Sequence, residues 1–539
     1  MLIGWLGRFI CFQGKYIHGL DLKMKPRILL WDLGSMRDEL NEPLGIEILA
    51  GTVSARYPEI EVELKWNKAG DDTLSINETE SFDIIGLSVN LGAFDTLQLV
   101  INDIQKASKQ PLIVLGGLVP TFAYNELIHS WQRSICVLGE GEDSFLRIIS
   151  LFYLHGVDLF KGLDTVPNIA YKLSNDILCT KREPLTLVDP FHPIRKYIDF
   201  IIKQGGIARI EASRGCPWSK CEFCCIGPKY GGGGWRPMPI TFILEELKRL
   251  SASGILSPYF TDEDFIGGQY ERSNELATAI IDLKNQFVIP SQMNYFASLR
   301  VNDVISSQGQ ESLKIWKTAG LREVFIGLES GVKEQLHRYG KASTPNVNKK
   351  AIEILHNLGY QIDIGFIFFD PEMTFEELCL NTDFLNRLKL NEFDSRSIKP
   401  LRVQPNTKIF ERYLKAGLIK GPLVVNDLIY PAQYIDERVF AVFENFKKWE
   451  NEFINETYKI QSKSRGEIKE EALRYELKRQ LSEMRNIDLL MLRLIISKVS
   501  DELSKDVFQC EEGKLRHYKI NVLSKANEIL LRQKRTGTR

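Results

Sequence analysis

The stretch SRGCPWSKCEFCC, residues 213–225 (the cysteine loop), places four cysteines within ten positions of a 539-residue chain that has nine. The remaining five are single and widely spaced: Cys11, Cys136, Cys179, Cys379 and Cys510. Such usage is typical of a reducing compartment, where a tight cysteine cluster indicates metal binding before a disulfide framework. The cysteine loop therefore predicts a metal centre.

Three of the four cysteines make the better ligand set. Cys224 and Cys225 are adjacent, so their side chains diverge and cannot easily bind one compact centre together. Structural zinc typically takes two close ligand pairs from separate loops, and the sequence has no second Cys/His pair elsewhere. Cys216, Cys221 and Cys224 would leave one position of a four-iron cluster open, as at a catalytic centre. A [4Fe–4S] cluster is favoured over zinc, with Cys225 as a bystander.

The cysteine loop follows the first of six predicted strands in a domain spanning residues 206–410. Helical patterns separate these strands, which predicts a parallel sheet that forms a partial or complete barrel. The strands are 207–213, 258–262, 294–299, 323–330, 361–369 and 394–401. Barrels carry their active sites at the carboxyl ends of the strands. Polar residues stand at those ends here: Asp262, Glu263, Asp264, Ser298, Arg300, Glu329, Asp370 and Arg402.

Residues 25–155 form an earlier predicted domain with the same alternation of strands and helices. Apolar runs at 27–31, 60–64, 83–89, 112–116 and 134–139 predict a doubly wound parallel sheet. Ligands of such sheets sit outside the carboxyl ends of the strands. Glycines fall there, at Gly34, Gly116, Gly117, Gly139 and Gly141, although tight turns alone would also explain them. Neither a GxGxxG after the first strand nor a P-loop motif occurs.

The other segments carry less information. We expect residues 1–24 to be a weakly structured extension, with Met24 as an alternative start, and residues 156–205 to be a connector that contains a hairpin. Residues 411–539 are charged and helical, and we expect them to close the barrel mouth or select the substrate. A net charge of −1 gives no general attraction to nucleic acid or acidic membranes, and no apolar run is long enough for a membrane span. A cytoplasmic protein is predicted.

The cysteine loop resembles the cluster loop of radical S-adenosylmethionine (SAM) enzymes. Cys216-x4-Cys221-x2-Cys224 has Phe223 before its last cysteine, and its extra residue relative to the commonest x3-x2 spacing is similar to some cobalamin-dependent members. The resemblance continues through GGWRPMP (233–239), FTDEDF (260–265), ASLR (297–300), GLREVFIGLESG (320–331), YGKAST (339–344) and GFIFFDPEMT (365–374).

This resemblance implies roles for the polar residues. Cys216, Cys221 and Cys224 would ligate three irons of a [4Fe–4S] cluster, and SAM would bind the fourth. Asp262 or Glu263 would meet the SAM amino group. Ser298, Arg300 and Lys341 would lie near its carboxylate or ribose, and Glu329 near the ribose. A surface ion pair is the alternative for each residue taken singly.

The first domain resembles the cobalamin-binding domain of the B12-dependent radical SAM class. LIVLGGLVPTF (112–122) and CVLGEGEDSF (136–145) are similar to its vGGxxPT and GEGE segments, which makes Gly116, Gly117, Gly139 and Gly141 candidate contacts to cobalamin. The loop 31–45 contains no histidine, so it cannot supply a histidine ligand to cobalt. We expect cobalamin binding, with a docking domain as the alternative.

The fold expected from these resemblances is α/β: a Rossmann-like cobalamin domain, a radical SAM (β/α)6-type partial barrel and a helical C-terminal region. The implied activity is cleavage of SAM to a 5′-deoxyadenosyl radical, with cobalamin, for methylation or another radical modification of an unactivated carbon in a small molecule or peptide. An electron donor such as flavodoxin or ferredoxin is the expected partner. The alternatives are a cobalamin-independent radical SAM cyclase or rearrangement enzyme and a zinc-stabilised binding protein.

Overall fold

The computed structural model describes residues 26–34, 40–70, 72–131, 133–389, 398–465 and 471–536. Its strands are β1 (Arg27–Asp32), β2 (Glu61–Trp66), β3 (Ile84–Ser88), β4 (Leu112–Gly116), β5 (Ser134–Val137), β6 (Ile169–Leu173), β7 (Asp176–Cys179), β8 (Arg209–Ile210), β9 (Ser213–Arg214), β10 (Arg236–Pro237), β11 (Tyr259–Phe260), β12 (Tyr295–Leu299), β13 (Leu321–Glu329) and β14 (Gln361–Phe366).

Helices alternate with these strands as far as β14 and then continue alone. They are α1 (Leu44–Arg56), α2 (Ile76–Ser81), α3 (Phe94–Ile104), α4 (Leu118–Ser130), α5 (Glu142–His155), α6 (Ile198–Gln204), α7 (Ile226–Lys229), α8 (Ile240–Ala252), α9 (Tyr270–Asn285), α10 (Val301–Ile305), α11 (Ser307–Ala319), α12 (Lys333–Arg338), α13 (Pro345–Asn357), α14 (Phe375–Arg387), α15 (Lys408–Lys415), α16 (Glu437–Arg465), α17 (Glu471–Val499) and α18 (Lys505–Thr536). Short 3-10 helices occupy Asn67–Ala69 and Gly156–Thr165.

The first sheet has seven strands in the order β2-β1-β3-β4-β5-β6-β7. The first five in this order are parallel, whereas β6 and β7 form an antiparallel hairpin that extends the sheet. Alternate residues of β1 enter different cores, Ile28 and Leu30 on one face and Leu29 and Trp31 on the other. A sheet buried on both faces is what continuous apolar strands dictate. The predicted doubly wound parallel sheet is confirmed.

The second sheet has five parallel strands in the order β14-β13-β12-β11-β8. Phe369 forms a parallel bridge with Pro400, at the end of the sixth strand predicted over 394–401, of which residues 394–397 lie outside the described part. Helices α8, α9, α11 and α13 lie between successive strands in the chain. These strands and helices confirm a partial barrel of the predicted type.

The long helices of the C-terminal region flank the β14 side of this sheet. Phe443 and Phe446 of α16 contact the ring of Phe369, and Arg465 at its end pairs with Asp363 of β14. Lys478 of α17 lies 2.6 Å from Glu323 of β13. Together with Arg465, it lowers the pKa of that buried carboxyl to about 2. The long helices thus pack along the side of the sheet, and shorter C-terminal segments approach the carboxyl ends of the strands.

Across the described ranges, we find no helix that combines the length and the apolar character needed to cross a membrane.

Candidate functional site

The cysteine loop lies between β9 and α7 and is clamped by two distant segments. Trp218 donates its indole N–H to the carbonyl of Gly340 (3.0 Å), and the backbone N–H of Glu222 donates to Tyr339 (2.9 Å). The carbonyl of Glu222 accepts from the N–H of Ile409 in α15 (3.0 Å). The loop is therefore held by hydrogen bonds to chain segments far away in sequence.

The four thiols are unpaired and half-buried. Burial raises the pKa of Cys221 to about 11 and that of Cys224 to about 12; the charge of Cys216 acts on both, and those of Cys225 and Cys221 act on Cys224. Burial also raises the pKa of Cys225, and the charges that act most on its thiol are Lys229, Arg402 and Glu263. Cys225 packs against the core of the first domain. Cys225 thus has a different environment from the other three.

The donor set, three cysteines on one loop, fits a cubane cluster. Such a cluster takes each thiolate on a different iron. Binding must release the thiol protons, and the neighbouring cations Lys341 and Arg300 favour the thiolate form of Cys221.

Of the two acidic candidates for the SAM amino group, Glu263 is the one that contacts Gly215, the residue before the first cysteine of the loop. One of its oxygens accepts from Gly215 N–H (3.0 Å), and the other from Lys229 Nζ and the hydroxyl of Tyr230 (both 2.8 Å). Lys229 lowers the pKa of this carboxyl. Glu263 is an ionised acceptor bonded to Gly215, the residue that precedes Cys216.

Asp262 is turned inward. It is 3 % exposed and accepts hydrogen bonds from Ala212 N–H (3.1 Å) and from the hydroxyl of Ser213. Burial raises its pKa to about 8. Its contacts tie the end of β11 to the first strand of the barrel.

Arg300 is shared between two buried carboxylates. It donates to Asp264 and, at 3.0 Å, to Asp303. Burial raises the pKa of Asp264 to about 7. The charge of Arg300 still reaches the thiols of Cys216 and Cys221. The carbonyl of Ser298, two residues earlier, accepts from Phe265 N–H (2.9 Å). This bond holds residues 262–265, the acidic loop.

Glu329 and Lys341 form an ion pair of 3.2 Å next to the thiols. Glu329 has a φ of +64°, at a point where the register between β13 and β14 shifts. Its side chain folds back over Gly327, where a Cβ atom would lie 2.4 Å from the Glu329 carboxylate. A strained non-glycine residue costs about 1–3 kcal/mol and is found mainly at functional sites. The charges of Cys221 and Cys224 act on Lys341, whose pKa is raised chiefly by Glu329.

The carboxyl edge of the first sheet is polar. Asp32 accepts from the hydroxyl of Ser88 (2.9 Å) and from Gly34 N–H (2.8 Å), and burial raises its pKa. Asn90 donates to Ser88 (3.3 Å). This row of hydrogen-bond donors and acceptors fits the amide-bearing rim of a corrin ring.

The four candidate glycines at this edge have different surroundings. Gly116 faces open space, since nothing lies within 4 Å of a Cβ placed there. At Gly117 (φ +99°) and Gly139 (φ +80°) an added Cβ would lie 2.8 Å from the carbonyl of Val89 and 2.3 Å from that of Lys229. Gly141 precedes α5. Gly117 and Gly139 are thus needed by contacts within the protein, and Gly116 is the position that leaves room for a ligand.

Glu140 joins the two edges. Its buried carboxylate accepts from Arg214 (3.0 Å), Arg236 (2.8 Å) and the N–H of Leu185 (2.9 Å). Arg214 lies two residues before Cys216 in the cysteine loop. The loop after β5 is thereby fastened to the cysteine loop, which brings the two predicted sites to one junction.

Sequence reasoning missed Glu140, Lys229 and Tyr230 as members of this junction. Glu140 lies in the GEGE segment, but only the two glycines of that segment, Gly139 and Gly141, were predicted as ligand contacts. Lys229 and Tyr230 stand before a run of four glycines and give no signal on their own.

Two family models match the chain in the order of the two sheets. The B12 binding domain matches residues 35–149, and the Radical SAM superfamily matches residues 210–383. The chain is 29% identical to the 4'-phospho-dehydrooxetanocin synthase of Priestia megaterium over 328 residues, which cover 57% of this chain and 43% of that protein. The hopanoid C-3 methylase of Methylococcus capsulatus is 27% identical over 341 residues, 61% of each. The chain spans about half the length of the curated relatives it matches.

A solved structure shares the arrangement of these parts. The cobalamin-dependent S-adenosylmethionine radical enzyme OxsB, with aqua-cobalamin and S-adenosylmethionine bound, superposes with a TM-score of 0.73 over 95% of this chain and 80% of that one. The identity is 21%, so the likeness is one of fold.

Proposed function

Because the chain belongs to the cobalamin-dependent radical SAM enzymes, we propose that it methylates an unactivated carbon of a small molecule or peptide. The two domains imply a [4Fe–4S] cluster with SAM in the second and cobalamin in the first. The observation that carries the proposal is the junction at Glu140, where the edge of the first sheet meets the cysteine loop.

The cysteine loop is the proposed cluster site. Cys216, Cys221 and Cys224 would be its ligands, and the bound cofactors would supply one electron for cleavage of SAM to methionine and a 5′-deoxyadenosyl radical, and a methyl carrier. Lys341 would offset the negative charge of the thiolates, because its ammonium already acts on Cys221 and Cys224. The clamp by Gly340 and Tyr339 would keep the loop in place.

The SAM site would form around the same loop. Glu263 would accept from the amino group of SAM, since it is ionised and adjacent to the loop. Arg300 and Lys341 are cations that would pair with its carboxylate, and Glu329 would accept from the ribose hydroxyls. Ser298 would order the acidic loop through its bond to Phe265. The buried Asp262 would support the strand ends rather than touch SAM.

Methylation is supported by a methylase among the relatives, which this chain matches over 61% of both lengths. The second candidate function is a different radical modification, because another relative is named a synthase. The two differ in products: methylation through cobalamin consumes a second SAM and yields S-adenosylhomocysteine, whereas a cyclisation or rearrangement yields none.

The test is product analysis of the anaerobically purified holoenzyme supplied with SAM, a candidate substrate and a flavodoxin-type or chemical reductant. We expect 5′-deoxyadenosine from the parent and from Cys225→Ser, and none from Cys224→Ser. Formation of S-adenosylhomocysteine together with 5′-deoxyadenosine supports methylation. The absence of 5′-deoxyadenosine from the iron-loaded parent would contradict the proposed function.

A further inference from the structure

The C-terminal region sends a hairpin, residues 419–432 (the C-terminal hairpin), toward the junction. Antiparallel bridges join Ile419 to Ala432 and Val424 to Ile429, so the turn is formed by residues 425–428. The segment contains no histidine or cysteine. It follows α15, whose Ile409 N–H donates to the carbonyl of Glu222 in the cysteine loop.

The turn of this hairpin docks on the first domain through Asn426. The carbonyl of Asn426 accepts from Gly92 N–H (2.7 Å), and its side-chain oxygen accepts from Phe94 N–H (3.0 Å). Gly92 lies in the connection from β3 to α3, which follows the carboxyl end of β3, and Phe94 is the first residue of α3. Asn426 thus caps the start of α3 from a position 332 residues away in the chain.

Leu428 completes the docking. It is fully buried in the core that holds Leu33, Val89 and Leu115, which lie at the ends of β1, β3 and β4. It adopts a φ of +52°, a conformation that a leucine keeps only when its surroundings impose it. The side chain therefore inserts into the first domain at the cost of backbone strain.

The same hairpin is attached to the barrel. Arg402 donates to the carbonyl of Asp427, and Tyr430 donates its N–H to the carbonyl of Val403 (2.9 Å). The ring of Tyr430 stacks on Phe410 with 4.2 Å between centroids. Arg402 and Val403 follow the end of the sixth predicted strand of the barrel. The hairpin consequently bridges the carboxyl edges of both sheets.

The β3–α3 connection that Asn426 holds is also the border of the open space at Gly116. Val89, at its start, donates to the carbonyl of Gly116 (2.8 Å), and its own carbonyl accepts from Val119 N–H (3.1 Å). Gly116 is the glycine of this edge with no atom near its Cβ position. Movement of the connection would therefore change the shape of that space.

From these contacts we infer that the C-terminal hairpin forms one side of the corrinoid site, beside the carboxyl edge of the first sheet and the cysteine loop. Asn426 is its positioning residue. The inference rests on the proposed function, because it requires cobalamin at the edge of the first sheet. The hairpin acts by holding the β3–α3 connection and by burying Leu428, and it offers no imidazole or thiol to cobalt.

The first test measures the affinity of the anaerobic, iron-loaded protein for hydroxocobalamin by equilibrium dialysis. Asn426→Ala removes the cap on α3, and we expect an affinity about five- to tenfold weaker, with unchanged iron content. Asn426→Asp keeps the acceptor oxygen and should bind like the parent. Asn451→Ala removes an exposed asparagine of α16 and serves as the matched control.

An affinity of Asn426→Ala within twofold of the parent would overturn the inference while leaving the proposed function intact. Failure of the parent itself to bind hydroxocobalamin would remove the cobalamin part of the proposed function, and the inference with it. Hydrogen exchange of the unmodified protein is a second test of the inference, and it does not require any variant to fold. We expect hydroxocobalamin to slow exchange in residues 89–94 and 419–432 together; unchanged exchange in 419–432 would equally overturn the inference.

Discussion

Replacement of Glu140 by alanine should separate the two halves of the junction. The carboxylate is buried, and it accepts two guanidinium hydrogen bonds, from Arg214 (3.0 Å) and Arg236 (2.8 Å), and one from the backbone N–H of Leu185 (2.9 Å). Glu140→Ala leaves these donors buried beside a cavity. Because the donors belong to the barrel and the connector, the loss falls on the contact between the domains.

The size of the effect depends on which hydrogen-bond and ion-pair partners each arginine keeps in the variant. Arg214 retains Glu142 (2.7 Å) and Glu211 (2.8 Å), so its charge stays paired. Arg236 keeps a bond to the carbonyl of Leu185 (2.6 Å) but loses its carboxylate. Removing one partner of a buried ion pair costs about 3–5 kcal/mol, and the retained partners of Arg214 favour the lower end, about 3 kcal/mol.

The assay is thermal unfolding of the apoprotein by circular dichroism. A loss of about 3 kcal/mol should lower the midpoint of the first transition by roughly 6–10 °C. Glu140→Gln keeps the size and one acceptor and should lose about half as much. Glu126→Ala, an exposed glutamate on α4, is the control and should leave the midpoint unchanged. A shift below about 2 °C for Glu140→Ala would refute the reasoning.

Three further outcomes are expected. Cys224→Ser should lose the iron that Cys225→Ser retains, as measured by iron content after anaerobic purification; equal loss in both would contradict the ligand assignment. Glu329→Ala should weaken SAM binding at least about tenfold in equilibrium dialysis, because it removes the proposed acceptor of the ribose hydroxyls, whose carboxylate pairs with Lys341. Unchanged SAM affinity would remove Glu329 from the site. Burial raises the pKa of Asp262 to about 8, so its contribution to stability is complete below about pH 4 and is lost as the pH rises toward 8. The apoprotein should therefore become less stable between pH 5 and 8 in urea titrations, and Asp262→Asn should lessen that slope; an identical slope in the variant would count against this.

Local signals in the sequence predicted the fold well. Apolar runs separated by helical patterns placed the strands of both sheets, since burial on both faces leaves a continuous apolar run. The sequence also contained the cysteine loop as one contiguous motif. These features depend on neighbours in the chain, which one sequence displays directly.

The junction could not be predicted in the same way because its contacts are distant in sequence. The bond from Arg214 to Glu140 spans 74 residues, and that from Phe94 to Asn426 spans 332. The choice between Asp262 and Glu263 depended on which carboxylate turns inward, and adjacent residues in a sequence give no sign of that. The need for glycine at position 139 comes from the carbonyl of Lys229, in another domain.

Metal analysis of the parent protein tests the central claim most directly. The protein would be purified without oxygen from a host that imports cobalamin, and its iron, cobalt and zinc would be counted per chain. Our account predicts about four irons and about one cobalt. Iron without cobalt would contradict the assignment of the first domain, and zinc alone would contradict the radical SAM activity.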